Sequence, residues 1–307
     1  MQPTVTVIVP VYNASATVED VLHALVTQSY PDDCTELLFV DNGSSDGTED
    51  IVRSFSVRIL KEERSTSPYA ARNLGIQHAS GQILAFTDAN KIPEGRWIEE
   101  GVAALLNSGA DLAGGDIQFD TGMNPGVPEV YDSLTFNNNR TLVKKENGSA
   151  CGNLFVKREV FEKTGLFPGT FRSGMDIWWT QKAVRSGFHL VFAEKAVVRC
   201  IPRKFADVIK KSYRVGVSHP INMKSRGLSV PAILWVIIKT CSPPRISPLR
   251  KKISESPHSV SMARLWAVAW ISKTALAAGR LYGLLFMNVL PSPEPYKSVI
   301  NKRAVDV

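Results

Sequence analysis

Asp88 and Asn90 are the two residues whose types and spacing most directly indicate chemistry. They end the apolar run QILAFTDAN (82–90), which has the composition of a buried β-strand. Because they stand two residues apart, their side chains point the same way along an extended backbone. Their oxygens suit a hard divalent cation, and such an ion usually arrives with a diphosphate. The same residue types also form ordinary turns after strands, so the surrounding elements must decide between a site and a turn.

The elements around this pair predict an α/β domain. Apolar runs and helical patterns alternate four times with short links, which is typical of a mostly parallel sheet with helices on both faces. Continuous apolar strands also fit burial on both sides. The strand candidates are Thr4–Pro10, Glu36–Val40, Val57–Leu60 and the run before Asp88, and helical patterns cover Ala16–Gln28, the residues from Thr48 onward, and Ser67–Ala79.

Polar side chains follow three of the four predicted strands. Tyr12 and Asn13 follow the first strand, Asp41 follows the second and Asp88 follows the fourth. An open α/β sheet binds its ligands at the carboxyl ends of its strands. Three polar clusters at one edge of the same sheet therefore favour a binding site over a coincidence of turns.

The composition limits the classes of protein that fit. With 307 residues, of which 44% are hydrophobic, the chain can bury one large core and carry an appendage. Its cysteines have no paired spacing, which argues against a zinc site or a disulfide framework and suits a reducing cytosol. No basic segment with an apolar core precedes the first strand, so we expect no signal peptide. The four cysteines are Cys34, Cys151, Cys200 and Cys241.

The net charge of +7 is distributed unevenly along the chain. Residues 1–198 contain 17 Lys and Arg against 25 Asp and Glu, whereas residues 199–307 contain 19 against 4. Such a split predicts a polyanion or an anionic membrane surface as the partner of the basic C-terminal third. This third alternates its cations with aliphatic residues and not with evenly spaced aromatics on a sheet, so we expect no nucleic-acid partner.

The C-terminal third divides into a helical extension, residues 201–241, and a linker with a final helix, residues 242–307. The extension has a basic amphipathic pattern over 203–218, followed by an apolar stretch, Pro231–Ile238, that is too short to span a bilayer. The linker covers 242–257 and is rich in Pro, Ser, Arg and Lys.

The final helical pattern, Ser261–Leu290, allows three placements. Its aromatic, aliphatic and cationic residues fit a helix lying in a membrane interface, where the basic cluster 250–252 favours anionic headgroups. A membrane span is long enough but would bury Lys273 and Arg280 at a cost. Packing on the catalytic body or on a second subunit is the third placement. The interface placement predicts a cytoplasmic protein held peripherally at the inner face of the membrane.

The N-terminal half resembles the family 2 glycosyltransferases, whose catalytic domain has the GT-A nucleotide-sugar-binding fold. The resemblance covers about residues 4–200 and implies a GT-A catalytic domain over residues 1–200. Its motifs are loose singly but specific in their order and spacing. The matching segments are VTVIVPVYNA (5–14), LLFVDNGSSDGT (37–48), AARNLGI (70–76), ASGQILAFTDAN (79–90), CGNLFVKREVFEKTGLF (151–167) and SGMDIWWTQKAVRSG (173–187).

The resemblance implies a nucleotide-sugar donor bound at the strand ends. Pro10, Tyr12 and Asn13 would hold the nucleoside together with Asp41, whose carboxylate can accept strong hydrogen bonds from a base or a ribose. Arg72 either approaches the donor diphosphate or pairs with a surface acid, and both alternatives stay open.

Asp88 and Asn90 occupy the DxD position of the family, where a metal neutralises and orients the departing diphosphate. Here the second acid is an amide, which can still bind Mg²⁺ or Mn²⁺ but adds no charge. The resemblance therefore implies a divalent cofactor on these two residues, with Asp88 also beside the donor. His219 is a candidate third ligand, although a single His more often packs or caps.

Asp176 is the general base that the resemblance implies. The family has an acidic pair at this point, whereas this chain has Met175 before Asp176, so one carboxylate must take the proton of the acceptor hydroxyl. The structural alternative is that Asp176 only stabilises the N-terminus of the helix predicted over Ile177–Gly187, where the helix dipole favours a negative charge. Trp178 and Trp179 can stack on acceptor sugars, but helical phase alone places one of them in the core.

Two further segments match the family less directly. Gly152 permits a close backbone approach beneath the donor sugar, and Asn153 either bonds a sugar hydroxyl or forms a turn. Residues Asp120–Ser149 show little periodicity, and we expect a mobile loop on the acceptor side. Ser44 and Asp46 fit a plain loop that caps the next helix.

Together these residues predict an inverting, metal-dependent glycosyltransferase of the hexosyltransferase type. It would move a sugar from a UDP-linked donor to a glycan, a glycolipid or a polyprenyl-linked acceptor, as in polysaccharide biosynthesis. A nucleotidyltransferase would need a Gly-rich, cationic loop after the first strand, which PVYNASATVED (10–20) lacks. A non-catalytic sugar-nucleotide-binding scaffold would explain Asn90 and Met175 but not the acids that remain.

Overall fold

A computed structural model describes residues 2–135, 139–225 and 227–286 of the chain. Within these residues the predicted apolar runs become β-strands, with ends that shift by about one residue, as is usual for boundaries read from sequence. The strands are β1 (Val5–Val11), β2 (Thr35–Asp41), β3 (Arg58–Lys61), β4 (Ile83–Thr87), β5 (Lys91–Pro93), β6 (Leu112–Phe119), β7 (Asn153–Lys157) and β8 (Leu190–Cys200).

Helices follow most of the strands and form the C-terminal third. A 3₁₀ turn (Asp32–Cys34) precedes β2, and a π-helical turn (Leu142–Glu146) follows the sixth helix. The helices are α1 (Val18–Val26), α2 (Thr48–Arg53), α3 (Pro68–His78), α4 (Trp97–Ser108), α5 (Val127–Thr135), α6 (Asn139–Thr141), α7 (Arg158–Thr164), α8 (Met175–Arg185), α9 (Phe205–Ser225), α10 (Val230–Cys241), α11 (Ile246–Ser254) and α12 (Met262–Leu285).

The strands form one sheet in the order β3-β2-β1-β4-β7-β6-β8-β5. The first four strands in this order are parallel to one another. Strand β7 is antiparallel to both of its neighbours, β8 is parallel to β6, and β5 is antiparallel to β8. The ends of β1, β2 and β4 therefore meet at one edge, and the predicted α/β sheet with its polar edge is confirmed.

The central strands β1 and β4 bury both of their faces. Val7 and Val9 of β1 join the core under α1 and α4, whereas Ile8 between them joins the core under α3. Successive side chains of a strand point to opposite faces, so a continuous apolar run supplies two cores at once. The helices accordingly lie on both faces of the sheet, as the sequence predicts.

Helix α12 packs directly on α9 through glycines. A Cβ atom added at Gly279 would lie 2.1 Å from the Tyr213 carbonyl oxygen, and one at Gly283 would lie 2.1 Å from that of Val217. Only residues without a side chain allow two backbones to approach so closely. The described part of α12 therefore packs on α9 of the chain's own extension, and the membrane-interface placement stays a prediction. Within the described residues no helix has both the length and the apolarity to cross a membrane; residues 287–290 of the predicted helix lie outside that range.

The prediction of a loop over Asp120–Ser149 is wrong for the described residues of that stretch. It contains α5, α6 and the π-helical turn, and Val130, Asp132 and Asn139 are fully buried within it. Asp132 accepts hydrogen bonds from Arg203 and Lys211, which lets a carboxylate lie on the buried side of a helix. A polar residue at a core position conceals the helical period in the sequence.

The linker predicted over 242–257 also contains a helix, α11, which buries Leu249. The Nζ atom of Lys252 donates to the carbonyl oxygen of Leu134 in α5. Pro, Ser and cationic residues thus form a packed element and not only a connection. The four cysteines are free thiols, as expected from their spacing.

Candidate active site

Asp88 follows β4 and lies between two cations. Its Oδ1 atom accepts a hydrogen bond from Arg72 Nη2 at 2.5 Å, and its Oδ2 atom contacts Lys91 Nζ. The side chains of Arg72 and Lys91 are 6% and 4% exposed, whereas that of Asp88 is 29% exposed. Arg72 therefore pairs with an acid, which is the strand-end carboxylate Asp88, and its predicted approach to the donor diphosphate stays a prediction.

The two cations determine the charge of Asp88. Burial alone would raise the pKa of this carboxyl, but the charges of Lys91 and Arg72 outweigh burial and hold the pKa well below its ordinary value. Asp88 is therefore ionised across the neutral range. A carboxylate with so low a pKa is a poor proton acceptor near neutrality, which leaves the role of base to another residue.

The residues predicted to bind a metal face an ammonium group. Lys91 Nζ lies 3.5 Å from Asn90 Oδ1 as well as beside Asp88. In the part of the chain that the structure describes, no group of three or more His, Cys, Asp or Glu residues could hold a metal ion. The ammonium of Lys91 thus lies beside both of the oxygens offered to a metal, and a divalent ion between them would meet a like charge. The predicted Mg²⁺ or Mn²⁺ stays a prediction.

Asp176 stands in the first turn of α8 and is fixed through both oxygens. Its Oδ1 atom accepts from the Tyr69 hydroxyl at 3.0 Å, and its Oδ2 atom accepts from the backbone N–H of Cys151 at 2.9 Å. Tyr69 in turn accepts from the backbone N–H of Met175 at 3.1 Å. The carboxylate is half-buried, so it is both oriented and accessible, as a general base must be.

Helix α3 carries the partners of both carboxylates. Ser67 caps its first turn by accepting from the backbone N–H of Tyr69, and Pro68 follows at the first helical position. Tyr69 and Arg72 are three residues apart and so share a face of the helix. One of them contacts Asp176 and the other contacts Asp88.

The sequence did not identify Tyr69 as a site residue. Burial raises the pKa of its hydroxyl well above the ordinary value, and the nearby charge of Asp176 raises it further. Tyr69 therefore stays protonated and donates to the carboxylate. Its one sequence signal is its position three residues before Arg72 at the start of a capped helix.

The ends of β1 and β2 lie at the same edge of the sheet as Asp88. Asp41 is buried and accepts from the backbone N–H groups of Gly43 and Ser44. Asn13 has a left-handed backbone, with φ of 48°, and its Oδ1 atom accepts from Ser45. These bonds fix the loops on which a nucleoside would lie. The nucleoside contacts predicted for these two residues stay predictions.

The other residues predicted to bind the nucleoside lie at the end of β1. Tyr12 is half exposed and Pro10 is partly buried. Asp46 accepts hydrogen bonds from the backbone N–H groups of Ser15 and Thr48, and Ser44 Oγ accepts from Asn13. The plain-loop interpretation of Asp46 and Ser44 thus agrees with the structure.

Asn153 is a structural residue and does not face a sugar. It is fully buried, and its amide donates to the carbonyl oxygens of Asp116 and Ala196 while its Oδ1 atom accepts from Trp97 Nε1. Both amide N–H groups and the Oδ1 atom are engaged inside the core, so the predicted contact of Asn153 with a sugar is wrong. The motif gave the position but not the direction of the side chain.

Trp179 is also a core residue. It is fully buried, stacks on Phe161 with ring centroids 4.3 Å apart, and donates from Nε1 to the Gly165 carbonyl oxygen. No ring face is left for a sugar, so its predicted acceptor role is wrong. Helical phase correctly assigned one of the two tryptophans to the core. Trp178 is partly buried beside Lys182, and its acceptor role stays a prediction.

His219 lies between α9 and α12. Its Nδ1 atom accepts from Arg280 Nε at 3.0 Å. This contact gives the ring a packing role at the helix junction, which is the more frequent role of a single His that the sequence analysis noted.

Further cations approach the strand edge from the C-terminal extension. Arg203 and Lys211 pair with Asp132, and the charge of Arg203 also acts on Asp88. Burial lowers the pKa of Lys211, and the charge of Arg203 lowers it further. The basic extension thus contributes positive charge to the site as well as to the surface.

The sequence is similar to a known family and to individual glycosyltransferases. The model of the family described as Glycosyl transferase family 2 matches residues 6–165. Glycosyltransferase AglE of Haloferax volcanii is 36% identical over 295 residues, which are 92% of this chain and 97% of that protein. The glucosyltransferase WfgD of Escherichia coli, named as acting from UDP-Glc on α-D-GlcNAc-diphosphoundecaprenol, is 30% identical over 117 residues, 37% of this chain and 46% of that protein.

A solved structure shares the fold across nearly the whole chain. The mannosyltransferase PcManGT of Pyrobaculum calidifontis, in complex with GDP-Man and Mn²⁺, superposes with a TM-score of 0.61 and 21% sequence identity. The match covers 92% of this chain and 88% of that chain. The fold is therefore the GT-A fold.

The chain belongs to glycosyl transferase family 2. It is an enzyme of the glycosyltransferase class, as the motifs imply, and this sets aside the scaffold and nucleotidyltransferase alternatives.

Tyr69→Phe tests the position of Asp176 directly. The change removes the hydrogen bond to the carboxylate and the one that the hydroxyl accepts from the Met175 N–H, and it leaves the ring against Phe167. We expect a rate of sugar transfer about 10- to 100-fold lower, since hydrogen bonds to charged groups contribute roughly 1.5 to 3 kcal/mol, with unchanged nucleotide affinity. Tyr30→Phe is the matched control, because the Tyr30 hydroxyl donates to the Pro3 carbonyl oxygen. Equal losses in both variants would contradict a specific role of Tyr69.

Proposed function

We propose that this enzyme is an inverting glycosyltransferase in which Asp176 is the general base. The observation that carries the proposal is the anchoring of Asp176 and Asp88 to one face of α3, through Tyr69 and Arg72. This arrangement supplies the two things that a single displacement needs: a base for the acceptor hydroxyl and a place for the leaving diphosphate.

The two carboxylates have different tasks in this proposal. Asp88 is ionised and paired with cations, so it organises positive charge at the end of β4. Within the described residues, the hydrogen bonds given for the Asp176 carboxylate come from neutral donors, the Tyr69 hydroxyl and a backbone N–H, so taking a proton breaks none of the described ion pairs. The acceptor hydroxyl attacks the anomeric carbon from the side opposite the diphosphate, which inverts the configuration there.

The proposed donor is a UDP-sugar. Support comes from the name of WfgD, which specifies UDP-Glc and covers an aligned part of this chain at 30% identity. Asp41, Asn13 and the exposed face of Tyr12 line the edge at which the nucleoside would lie. GDP is the competing nucleotide, because a structure of the same fold contains GDP-Man.

The proposed acceptor is a glycan on a lipid carrier, presented at the anionic inner face of the membrane. The name of WfgD specifies a diphosphoundecaprenol-linked acceptor. Helix α10 also exposes apolar side chains one turn apart: Trp235 is 62% exposed and Ile238 is 63% exposed. Lys239, Arg250 and Lys251 are exposed nearby in the sequence. An apolar surface with flanking cations is typical of proteins that lie on anionic bilayers.

Asp176→Asn separates the base from donor binding. The amide keeps the shape of the side chain but cannot take a proton, so sugar transfer should fall by about 100-fold or more. The affinity for UDP or GDP should not change. Asp207→Asn is the control, because Asp207 is exposed and pairs only with Lys210 among the described ion pairs. Transfer at the wild-type rate by the Asp176 variant would remove it as the base.

A vesicle assay tests the membrane surface. Sedimentation with phosphatidylglycerol vesicles should exceed that with phosphatidylcholine vesicles and should weaken with added salt. Replacing Trp235 and Ile238 by Ser should reduce binding, because their apolar area no longer enters the interface. Leu106→Ser in α4, 58% exposed in the wild-type chain, is the control. Equal binding by the double variant would exclude α10 as the contact.

A further inference from the structure

Lys91 occupies the position between the two side chains that the sequence offered to a metal. Its ammonium contacts Asp88 Oδ2 and lies 3.5 Å from Asn90 Oδ1. The Lys91 side chain is 4% exposed, so this cation is built into the end of the sheet. A divalent ion at the same place would be repelled by the positive charge of Lys91.

The backbone around Lys91 makes room for its long side chain. Lys91 is the first residue of β5 and pairs with Cys200 of β8. A Cβ atom added at Gly152 would lie 2.6 Å from Lys91 Cε and 3.0 Å from Nζ. Gly152 therefore gives the lysine a channel toward Asp88, at the segment that the family resemblance places beneath the donor sugar.

Among the described ion pairs, Arg72 and Lys91 share a single carboxylate, Asp88. Asp88 carries one negative charge, whereas Arg72 and Lys91 carry two positive charges and are both buried. Arg72 Nε is a buried donor with no hydrogen-bond partner among the described residues. An unpaired buried donor, and two buried cations that share one ion-pair partner, are costly unless a ligand satisfies them. Both features point to an anion with several oxygens.

We propose that Lys91 and Arg72 bind the diphosphate of the donor and neutralise the leaving group in place of a divalent cation. This inference rests on the proposed function and names the residues that bind the leaving diphosphate. Asp88 and Asn90 then position the ammonium of Lys91, and do not ligate a metal. The two cations offer N–H donors to phosphoryl oxygens, and hydrogen bonds between charged groups are the stronger kind.

The transfer step balances without any further reactant. The acceptor oxygen forms a bond to the anomeric carbon, and the bond from that carbon to the phosphate oxygen breaks. Its electron pair stays on the nucleoside diphosphate, where Lys91 and Arg72 stabilise the added charge. The acceptor proton moves to Asp176. The products are the glycosylated acceptor and the nucleoside diphosphate.

The test is a calorimetric titration of the full chain with UDP and with GDP, in EDTA and in Mn²⁺. We expect one nucleotide to bind equally well with chelator and with metal. Lys91→Met and Lys91→Gln should each weaken that binding by about 10- to 100-fold, the loss that corresponds to one hydrogen bond between charged groups. Two neutral variants are used so that a folding defect in one, detected by thermal unfolding, leaves the other to answer the question.

Lys157→Met is the matched control. Lys157 is the last residue of β7 and pairs with Asp111. Its replacement should leave the dissociation constant of the nucleotide unchanged. Wild-type binding that requires Mn²⁺, or unchanged binding by both Lys91 variants, would overturn the inference and leave the proposed function intact. Failure of both nucleotides to bind in either condition would overturn the proposed function and the inference with it.

Discussion

The connection of two distant carboxylates to one helix is the interaction on which the rest of the structure depends. Tyr69 contacts Asp176 at the start of α8, and Arg72, three residues later in α3, contacts Asp88 at the end of β4. A side-chain spacing of three residues fixes both contacts on one face of a rigid element. Helix α3 therefore positions Asp176 and Asp88 relative to each other.

Helix α3 and strand β5 each bring a cation to Asp88, namely Arg72 and Lys91. Buried cations need partners, yet the described residues give Arg72 and Lys91 a single shared carboxylate. Such an arrangement is costly in the unliganded fold, and an anionic ligand would offset that cost; functional sites commonly depart from the best local packing in this way. The role proposed for Lys91 follows from this balance of charge.

The sequence predicts the sheet well, because burial on both faces leaves a continuous apolar run in each strand. It also locates Asp88, since parallel topology brings strand ends together. It misses Lys91, whose position depends on the pairing of β5 with β8. It assigns Asn153 and Trp179 to sugars because a motif fixes a position in the chain but not the direction of the side chain. Burial alone resolves that direction.

A crystal structure of the Asp176→Asn variant with its intact sugar nucleotide would test the central claim most directly. The variant should retain the donor because it lacks the base. The account predicts that the diphosphate lies within hydrogen-bonding distance of Lys91 and Arg72, with the anomeric carbon open toward residue 176. A diphosphate held by a metal ion on Asp88 and Asn90, or a sugar directed away from residue 176, would contradict the account.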